Sequence, residues 1–214
     1  MAIVKRHPLD IKSNCDLKRI FDIAATLIVF LSVFIWVWPM IILAIKLESK
    51  GPVFYKQERG GEKNKRFMCL KFRSMIFNCK QFDKKGAFLQ ASEKDFRVTR
   101  VGKFLRRRNL DELPQFICVL LGKMSLVGPR PHPTPLNLEY QKKIRNYSRR
   151  HVIRPGITGW AQIHGLRGEI RNNAQMKKRI EHDLWYIDNW SFWLDVKIIF
   201  RSMYLMINGD SKAY

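Results

Sequence analysis

An adjacent pair of carboxylates, Asp111 and Glu112, is the feature of this sequence best suited to catalytic chemistry. They are the only acidic residues between Phe96 and Leu138. The basic residues near them in sequence are Arg97, Arg100, Lys103, Arg106, Arg107, Arg108, Lys123 and Arg130. Cations lower the pKa of a nearby carboxyl group and keep it ionised. A site of this composition can hold a metal ion, phosphate groups and a nucleophile together, which favours phosphoryl chemistry.

The same pair also fits a purely structural interpretation. Asn109 or Asp111 could be the N-cap of a helix, and acidic residues in a first helical turn are stabilised by the helix dipole. Spacing alone does not separate this interpretation from the catalytic one, so both stay open at this point.

Composition predicts one domain with an attached segment and an anionic partner. The chain has 214 residues, a formal net charge of +22 and 46% hydrophobic residues. The length suits a single core. The charge predicts binding to nucleic acid, anionic lipid or phosphorylated substrates. The four cysteines and five histidines are scattered, so neither a zinc site nor a disulfide framework is predicted.

A run of 23 uncharged residues, Ile23 to Ile45, predicts a membrane segment, because about 20 apolar residues cross a bilayer core. Basic residues flank both of its ends: Lys18, Arg19, Lys46, Lys50, Lys56 and Arg59. Both ends therefore favour the cytoplasmic side. Pro39 bends the run, and Ser32 could satisfy a freed backbone group. We expect a bent helix that enters and leaves by one face; a kinked spanning helix and a buried core helix are the alternatives.

The remaining sequence predicts short elements around several loops. A β-hairpin is expected within 51–75 and an irregular loop over 78–95. Helices are expected over 96–108, 110–121, 136–150, 172–189 and 190–208. The segment GPRPHP, 128–133, presents Arg130 on a stiff loop, and 154–168 is a glycine-rich loop. The last helix suits the lipid headgroup region, although a buried core helix explains its aromatic residues equally well.

Seven motifs in order resemble the bacterial sugar transferase family, the monotopic polyprenyl-phosphate phosphoglycosyl transferases. They are KRIFDI, GPVFYKQERGG, LKFRSM, RVGKFLRRRNLDELPQ, MSLVGPRP, RPGITGWAQIHGLRGE and HDLWYIDNWSFWLDVKII, and they cover residues 17 to 200. Each is weakly specific alone, whereas the ordered set is highly specific. The last two look most like the colanic-acid-type glucose-phosphate or galactose-phosphate transferases. Many relatives have further N-terminal membrane helices and a soluble domain. This sequence resembles the minimal catalytic form, whether as a natural minimal enzyme or as a part of a longer chain.

The resemblance implies an architecture and a location. The expected fold is α+β and mostly helical, with an N-terminal re-entrant membrane helix hairpin, a small β-hairpin and amphipathic interfacial helices around a cytoplasmic catalytic core. Residues 1–17 would form an arm, 18–47 the re-entrant helix bent near Pro39, and 48–214 the catalytic domain. The protein would lie on the cytoplasmic face of the bacterial inner membrane, among anionic lipids. Trp38 replaces the serine that many members have before the proline, so hydrogen-bond support for the bend differs here.

The resemblance also implies a reaction. Sugar 1-phosphate would pass from a UDP-sugar, UDP-glucose or UDP-galactose, to undecaprenyl phosphate, with UMP released, as the first membrane step of exopolysaccharide or capsule synthesis. Asp111 matches the nucleophile that forms a phosphosugar-aspartyl intermediate, Glu112 its partner, and Mg²⁺ would bind to both carboxylates. Arg130 matches a phosphate-binding arginine, Lys71 and Arg106 match positions near the active site, and Asp183 matches an acidic position linked to nucleotide-sugar binding. No nucleic-acid partner is implied; the transferred sugar, the pathway and the oligomeric state, with a homodimer as one arrangement, stay open.

Two other function classes compete with this hypothesis. A non-enzymatic basic protein that binds anionic lipid or nucleic acid explains the charge and the apolar run, but not the acidic pair or the stiff arginine loop. A hydrolase of lipid pyrophosphates would use similar residues and would accept water in place of the lipid acceptor.

Overall fold

The structure is a computed structural model that describes residues 6–84, 86, 88–92, 95–170 and 172–208. Its helices are α1 (Lys12–Val29), α2 (Ile35–Glu48), α3 (Arg100–Arg107), α4 (Gln115–Leu120), α5 (Thr134–Lys143), α6 (Trp160–Ile163), α7 (Asn173–Asp188) and α8 (Phe192–Asn208). Its strands are β1 (Phe54–Gly60), β2 (Arg66–Phe72), β3 (Ser125–Val127) and β4 (Gly156–Thr158). Single 3₁₀ turns occur at Pro8–Asp10, Glu62–Asn64, Leu110–Glu112 and Tyr147–His151. The prediction of a mostly helical α+β fold with a small β-hairpin is confirmed.

The N-terminal apolar run forms one long helix. Helical structure continues for 37 residues from Lys12 to Glu48, long and apolar enough to cross a membrane. Between α1 and α2 the helix passes through a π-helical segment, Phe30–Phe34. Within it the Ser32 hydroxyl donates to the Ile28 carbonyl oxygen over 2.7 Å. Pro39 follows in the second turn of α2. π-Helical insertions and prolines are both common causes of helix bending.

This long helix lies against the rest of the protein along one of its faces. Helix α1 contacts α4, α8 and β3, and α2 contacts α3. Phe34 is buried in the middle of the helix, and Ile41 and Ile45 pack with Phe72 and Leu105. The opposite face is exposed and apolar, with Leu31, Trp36, Met40, Leu43 and Leu47 at its surface. The two halves of the apolar run therefore pack against different hydrophobic clusters of the protein, α1 against the cluster around the later strands and α2 against the cluster of Phe72 and Leu105.

Two small sheets set the positions of the loops that carry charged residues. Strands β1 and β2 are antiparallel, with Tyr55 opposite Lys71. Strands β3 and β4 are parallel and pair Ser125 with Gly156. A Cβ atom at Gly156 would lie 2.1 Å from the Gly128 amide nitrogen, so only glycine allows the two segments to approach this closely. The main hydrophobic core lies around this second sheet, between α4, α7 and α8.

Three predicted elements differ from the structure. The helix predicted over 136–150 ends at Lys143, because Asn146 takes a left-handed conformation with φ 63° and starts a separate 3₁₀ turn. The helix predicted over 110–121 is a 3₁₀ turn followed by α4, whose N-cap is Pro114. The loop predicted over 154–168 contains β4 and α6.

Candidate active site

Asp111 and Glu112 lie side by side on the 3₁₀ turn between α3 and α4. Asn109 precedes the turn with φ 55°, a left-handed conformation that asparagine tolerates better than most residues. The side chain of Asn109 does not cap this turn; its Oδ1 instead accepts a hydrogen bond from Arg167. The two carboxylates are 6% and 7% exposed. Asn109 is nevertheless the N-cap residue of the turn, and both acids lie in its first turn, as the structural interpretation predicts. That interpretation does not account for their burial, because nearly buried acidic side chains require charged or polar partners.

Glu112 is fully engaged by two cations. Arg130 makes a two-pronged contact, in which Nη1 donates to Oε2 over 3.0 Å and Nη2 donates to Oε1. Lys71, on β2, donates to Oε1 over 2.6 Å. Burial alone would raise the pKa of Glu112, but Arg130 and Lys71 outweigh it and hold that pKa well below its usual range. Glu112 is thus ionised at neutral pH and fixes the positions of both cations.

Asp111 has a different environment. Lys71 Nζ is 4.0 Å from Asp111 Oδ2, and no hydrogen bond to the Asp111 carboxylate occurs in the part of the chain that the structure describes. Burial raises the pKa of Asp111 and the charge of Glu112 adds to this, whereas Lys71 opposes the shift. A carboxylate that lacks hydrogen bonds and has a raised pKa is a better nucleophile than one saturated by donors.

The acidic pair faces a large cavity of about 680 Å³. Asp111, Glu112, Lys71, Arg106 and Arg130 all line it. Further cationic residues in its wall are Lys56, Arg59, Arg73, Arg97, Arg167 and Arg179. A cavity of this size accommodates a small-molecule ligand, and its charge favours an anionic one.

Arg106 reaches this cavity from α3. Its Nε donates to the Ser74 hydroxyl over 2.9 Å, and its charge favours the ionised form of Asp111. The short distance between α3 and the segment after β2 depends on Gly102, because a Cβ atom there would lie 2.0 Å from the Ser74 carbonyl oxygen. The structure therefore brings together five of the six residues singled out from the sequence.

The sixth residue, Asp183, lies behind the cavity wall. It is 2% exposed on α7 and accepts hydrogen bonds from Nε and Nη2 of Arg150 over 3.0 and 2.8 Å. Arg150 Nη2 also donates to the Arg130 carbonyl oxygen over 2.6 Å. Asp183 thus supports the backbone of Arg130 through Arg150 and does not line the cavity. The sequence did not identify Arg150 as a site residue, because it lies in a segment that was predicted to be a continuous helix.

The donor set can hold Mg²⁺ in part. Among the described residues no group of three or more histidine, cysteine or acidic side chains could hold a metal ion. Mg²⁺ commonly binds through one or two carboxylates together with substrate phosphates. Asp111 fits this pattern, because its oxygens carry no protein hydrogen bond. Glu112 suits the metal less well, since it already accepts three hydrogen bonds from Lys71 and Arg130.

Comparison with known proteins gives the family. Residues 13–209 match the family described as "Bacterial sugar transferase", so the chain belongs to it. A UDP-glucose:undecaprenyl-phosphate glucose-1-phosphate transferase of Escherichia coli (strain K12) is 49% identical over 89% of this chain and 40% of its own length. A protein of the same name from Caulobacter vibrioides is 39% identical over 97% of this chain and 82% of its own.

The relatives that resemble this chain are not all named as transferases of the same sugar. A UDP-N-acetylgalactosamine-undecaprenyl-phosphate N-acetylgalactosaminephosphotransferase of Aeromonas hydrophila is 46% identical over 77% of this chain and 38% of its own length. The chain spans 36% to 40% of the length of several of the relatives that it matches.

Proposed function

We propose that this member of the bacterial sugar transferase family transfers a sugar 1-phosphate from a UDP-sugar to undecaprenyl phosphate and releases UMP. The observation that carries the proposal is the asymmetry of the acidic pair: Glu112 is held by two cations, whereas Asp111 faces a cationic cavity without a hydrogen bond. The names of the relatives favour these substrates, and UDP-glucose is the first donor to test.

In the first step an Asp111 carboxylate oxygen attacks the β-phosphorus of the UDP-sugar. A bond forms between that oxygen and phosphorus, and the bond from phosphorus to the bridging oxygen breaks, so that UMP leaves with the bonding electrons. Arg130 and Lys71 are placed by Glu112 to neutralise charge on the transferring phosphoryl group. Such preorganised charge stabilisation is the main source of catalysis in phosphoryl transfer.

In the second step an oxygen of undecaprenyl phosphate attacks the same phosphorus. The bond to Asp111 breaks, the carboxylate is regenerated and the lipid carries a diphosphate-linked sugar. The covalent route divides one displacement into two, so the two anionic substrates do not have to occupy the cationic cavity together. Mg²⁺, held by Asp111 and by phosphate oxygens, would add charge neutralisation when bound.

The long apolar helix would place this chemistry at a membrane surface. Helix α1 contacts α4, α8 and β3, and α2 packs in the cluster that contains Leu110 and Leu113, on either side of the acidic pair, while the opposite face exposes large apolar residues. Exposed apolar surface of this extent favours contact with lipid. We therefore propose the re-entrant arrangement, with both helix ends on the cytoplasmic side of the inner membrane. Helix α8, with Trp193 and Phe200 exposed, would lie in the headgroup region.

The decisive experiment measures UMP release from UDP-glucose and undecaprenyl phosphate by the purified protein in detergent. The variant Asp111→Asn keeps the size of the side chain and removes the nucleophile, so release should fall by about 10³-fold or more. UDP-glucose labelled in its β-phosphate should label the wild-type protein and leave the variant unlabelled.

Three results would count against the proposal. Near-normal turnover by Asp111→Asn would exclude Asp111 as the nucleophile. UMP release at the same rate without the lipid would indicate a hydrolase, since water would then be the acceptor. No UMP release across UDP-glucose, UDP-galactose and UDP-N-acetylgalactosamine would count against a transferase of these sugars. The binding-protein hypothesis, in its nucleic-acid form, then predicts affinity that falls steeply with salt.

A further inference from the structure

His132 lies in the cavity wall, two residues after Arg130, and its side chain is held from behind. It is 2% exposed and lines the cavity. Its Nδ1 is 2.8 Å from Arg150 Nη1 and 2.6 Å from the Tyr147 hydroxyl oxygen. Its carbonyl oxygen accepts a hydrogen bond from the Gly60 amide over 3.2 Å. The imidazole is therefore fixed on its Nδ1 side and through its backbone.

The Arg150 contact decides which nitrogen of the ring carries the proton. A guanidinium group can only donate hydrogen bonds, so Nδ1 must be the acceptor and Nε2 must carry the hydrogen. Burial, followed by the charges of Arg150 and Arg179, holds the pKa of His132 well below its usual range. The ring is thus neutral, with a single N–H donor at Nε2.

That donor has no protein partner. Nε2 of His132 is buried and makes no hydrogen bond within the described residues. An unsatisfied buried donor destabilises the folded protein, and such groups are rare in native proteins unless a ligand or ordered water completes them. His132 is one of the residues that line the cavity, the space that a ligand would fill.

We propose that His132 is a substrate-positioning and specificity-determining residue that donates its Nε2–H hydrogen bond to an uncharged oxygen of the bound UDP-sugar. This inference rests on the proposed function, because it names a contact within the same cavity. A neutral donor among arginines is poorly suited to compete for the diphosphate, which the cations bind. The acceptor is instead a neutral oxygen, either a hydroxyl of the sugar or a carbonyl of uracil.

Two substitutions separate this role from simple support of Arg150. His132→Asn keeps an acceptor oxygen near the position of Nδ1, so the bond from Arg150 can persist while the Nε2–H donor is lost. His132→Gln places an amide N–H group near the position of Nε2. His164→Gln is the matched control, because His164 is exposed on the segment after α6 and does not line the cavity.

The test measures binding of UDP-glucose, UDP-galactose and UMP by isothermal titration calorimetry, together with KM and kcat for UMP release. His132→Asn should raise the Kd and KM of UDP-glucose about tenfold and leave kcat within about threefold. His132→Gln should recover part of the loss, and His164→Gln should match the wild type. If UMP affinity falls in parallel, the acceptor belongs to uracil; if the affinity for the UDP-sugars falls and that for UMP does not, it belongs to the sugar, and a changed ratio between the two sugars identifies the 4-hydroxyl.

Other outcomes would overturn the assignment. An unchanged Kd for both UDP-sugars and UMP in His132→Asn would exclude the contact, as would a fall in kcat with KM unchanged. If His132→Asn does not fold, as judged by thermal unfolding, His132→Gln decides: a loss of affinity equal to that of His132→Ala would reject a donor at Nε2. Calorimetry does not depend on turnover, so failure of the transferase reaction in the wild type would be recognised separately.

Discussion

Two clusters of buried charged groups in this molecule contain similar residues but differ in the hydrogen bonds that their carboxylates accept. The helix anchor consists of Lys18, Tyr186, Trp190 and Asp195. The wall, part of the cavity lining, consists of Lys71, Asp111, Glu112 and Arg130. In the anchor one carboxylate accepts three hydrogen bonds from three different donors. In the wall Glu112 accepts three hydrogen bonds, whereas Asp111 accepts none from the residues that the structure describes.

The difference suggests two roles for buried charged groups: one cluster attaches the long helix to the protein, and the other would support a reaction in the cavity. Asp195 accepts from Lys18 Nζ over 2.5 Å, from the Tyr186 hydroxyl over 2.6 Å and from Trp190 Nε1 over 3.1 Å. A carboxylate satisfied in this way stabilises the fold and is a poor nucleophile. Glu112 is satisfied similarly, and it presents its cations to a cavity that Asp111 shares. Loss of an anchor group should therefore affect stability, and loss of a wall group should affect turnover.

The largest expected effect concerns the anchor. Asp195→Asn removes a buried negative charge beside Lys18 and leaves that ammonium group without an ionic partner. Breaking a buried ion pair on one side costs about 3 to 5 kcal/mol, so the free energy of unfolding in detergent micelles should fall by that amount. UMP release per folded molecule should stay within about threefold, since Asp195 does not line the cavity.

The double variant Lys18→Met, Asp195→Asn is the control for this result. Removal of both charges leaves neither member of this ion pair charged without the other, although Asp22 loses the nearby charge of Lys18. The double variant should therefore be more stable than the sum of the two single losses predicts. Strict additivity would show that the two residues do not act as a buried pair. A loss of turnover by Asp195→Asn larger than its loss of folded protein would contradict the division between anchor and wall.

The second prediction concerns the wall and is best measured as a pH profile. Lys71 lowers the pKa of Asp111, and Asp111 must be ionised to attack phosphorus. Lys71→Met should therefore raise the pKa of Asp111 and move the acidic limb of kcat/KM to higher pH. It also removes one cation from the phosphoryl group, so kcat/KM at neutral pH should fall about 10²-fold. Stability should change less than in Asp195→Asn, because Glu112 keeps Arg130.

The control for this prediction is Lys65→Met, an equivalent loss of charge at the exposed end of the β-hairpin. Its pH profile should match that of the wild type. An acidic limb that stays in place in Lys71→Met would show that Asp111 does not titrate in this range of pH or that Lys71 does not act on it.

The sequence predicted the wall far better than the anchor. Asp111, Glu112 and Arg130 were recognisable because a carboxylate pair among cations and a proline-framed arginine are unusual locally, and because they match motifs of the family. Lys18 was interpreted as a positively charged flank of the membrane run, but it is 7% exposed and paired with a residue 177 positions away. Local patterns carry no information about such a pairing, which only the packing of α1 on α8 creates.

The element boundaries that were predicted wrongly failed for a similar reason. The turn that carries Asp111 and the end of α5 both depend on asparagines with positive φ, Asn109 and Asn146. Asparagine also occurs inside helices, so its presence did not predict these two breaks. The apolar run was identified from its length, whereas its π-helical segment, Phe30–Phe34, has no local signal besides Pro39 in the next turn.

The smallest predicted effect tests whether attachment of the long helix continues from the polar anchor to its apolar half. Trp38 stacks on Phe34 with ring centroids 5.1 Å apart and meets Phe72 edge-on at 5.4 Å. Trp38→Ser deletes these contacts and should lower the free energy of unfolding by about 2 kcal/mol. Trp36→Ser is the matched control, because Trp36 is 71% exposed on the other face and its replacement should cost about 0.5 kcal/mol or less.

Equal losses in the two variants would show that the apolar half of the helix is held by the micelle and not by the core. A larger loss in Trp38→Ser, accompanied by a rise in KM, would show that the aromatic contact also sets the position of β2, on which Lys71 precedes Phe72.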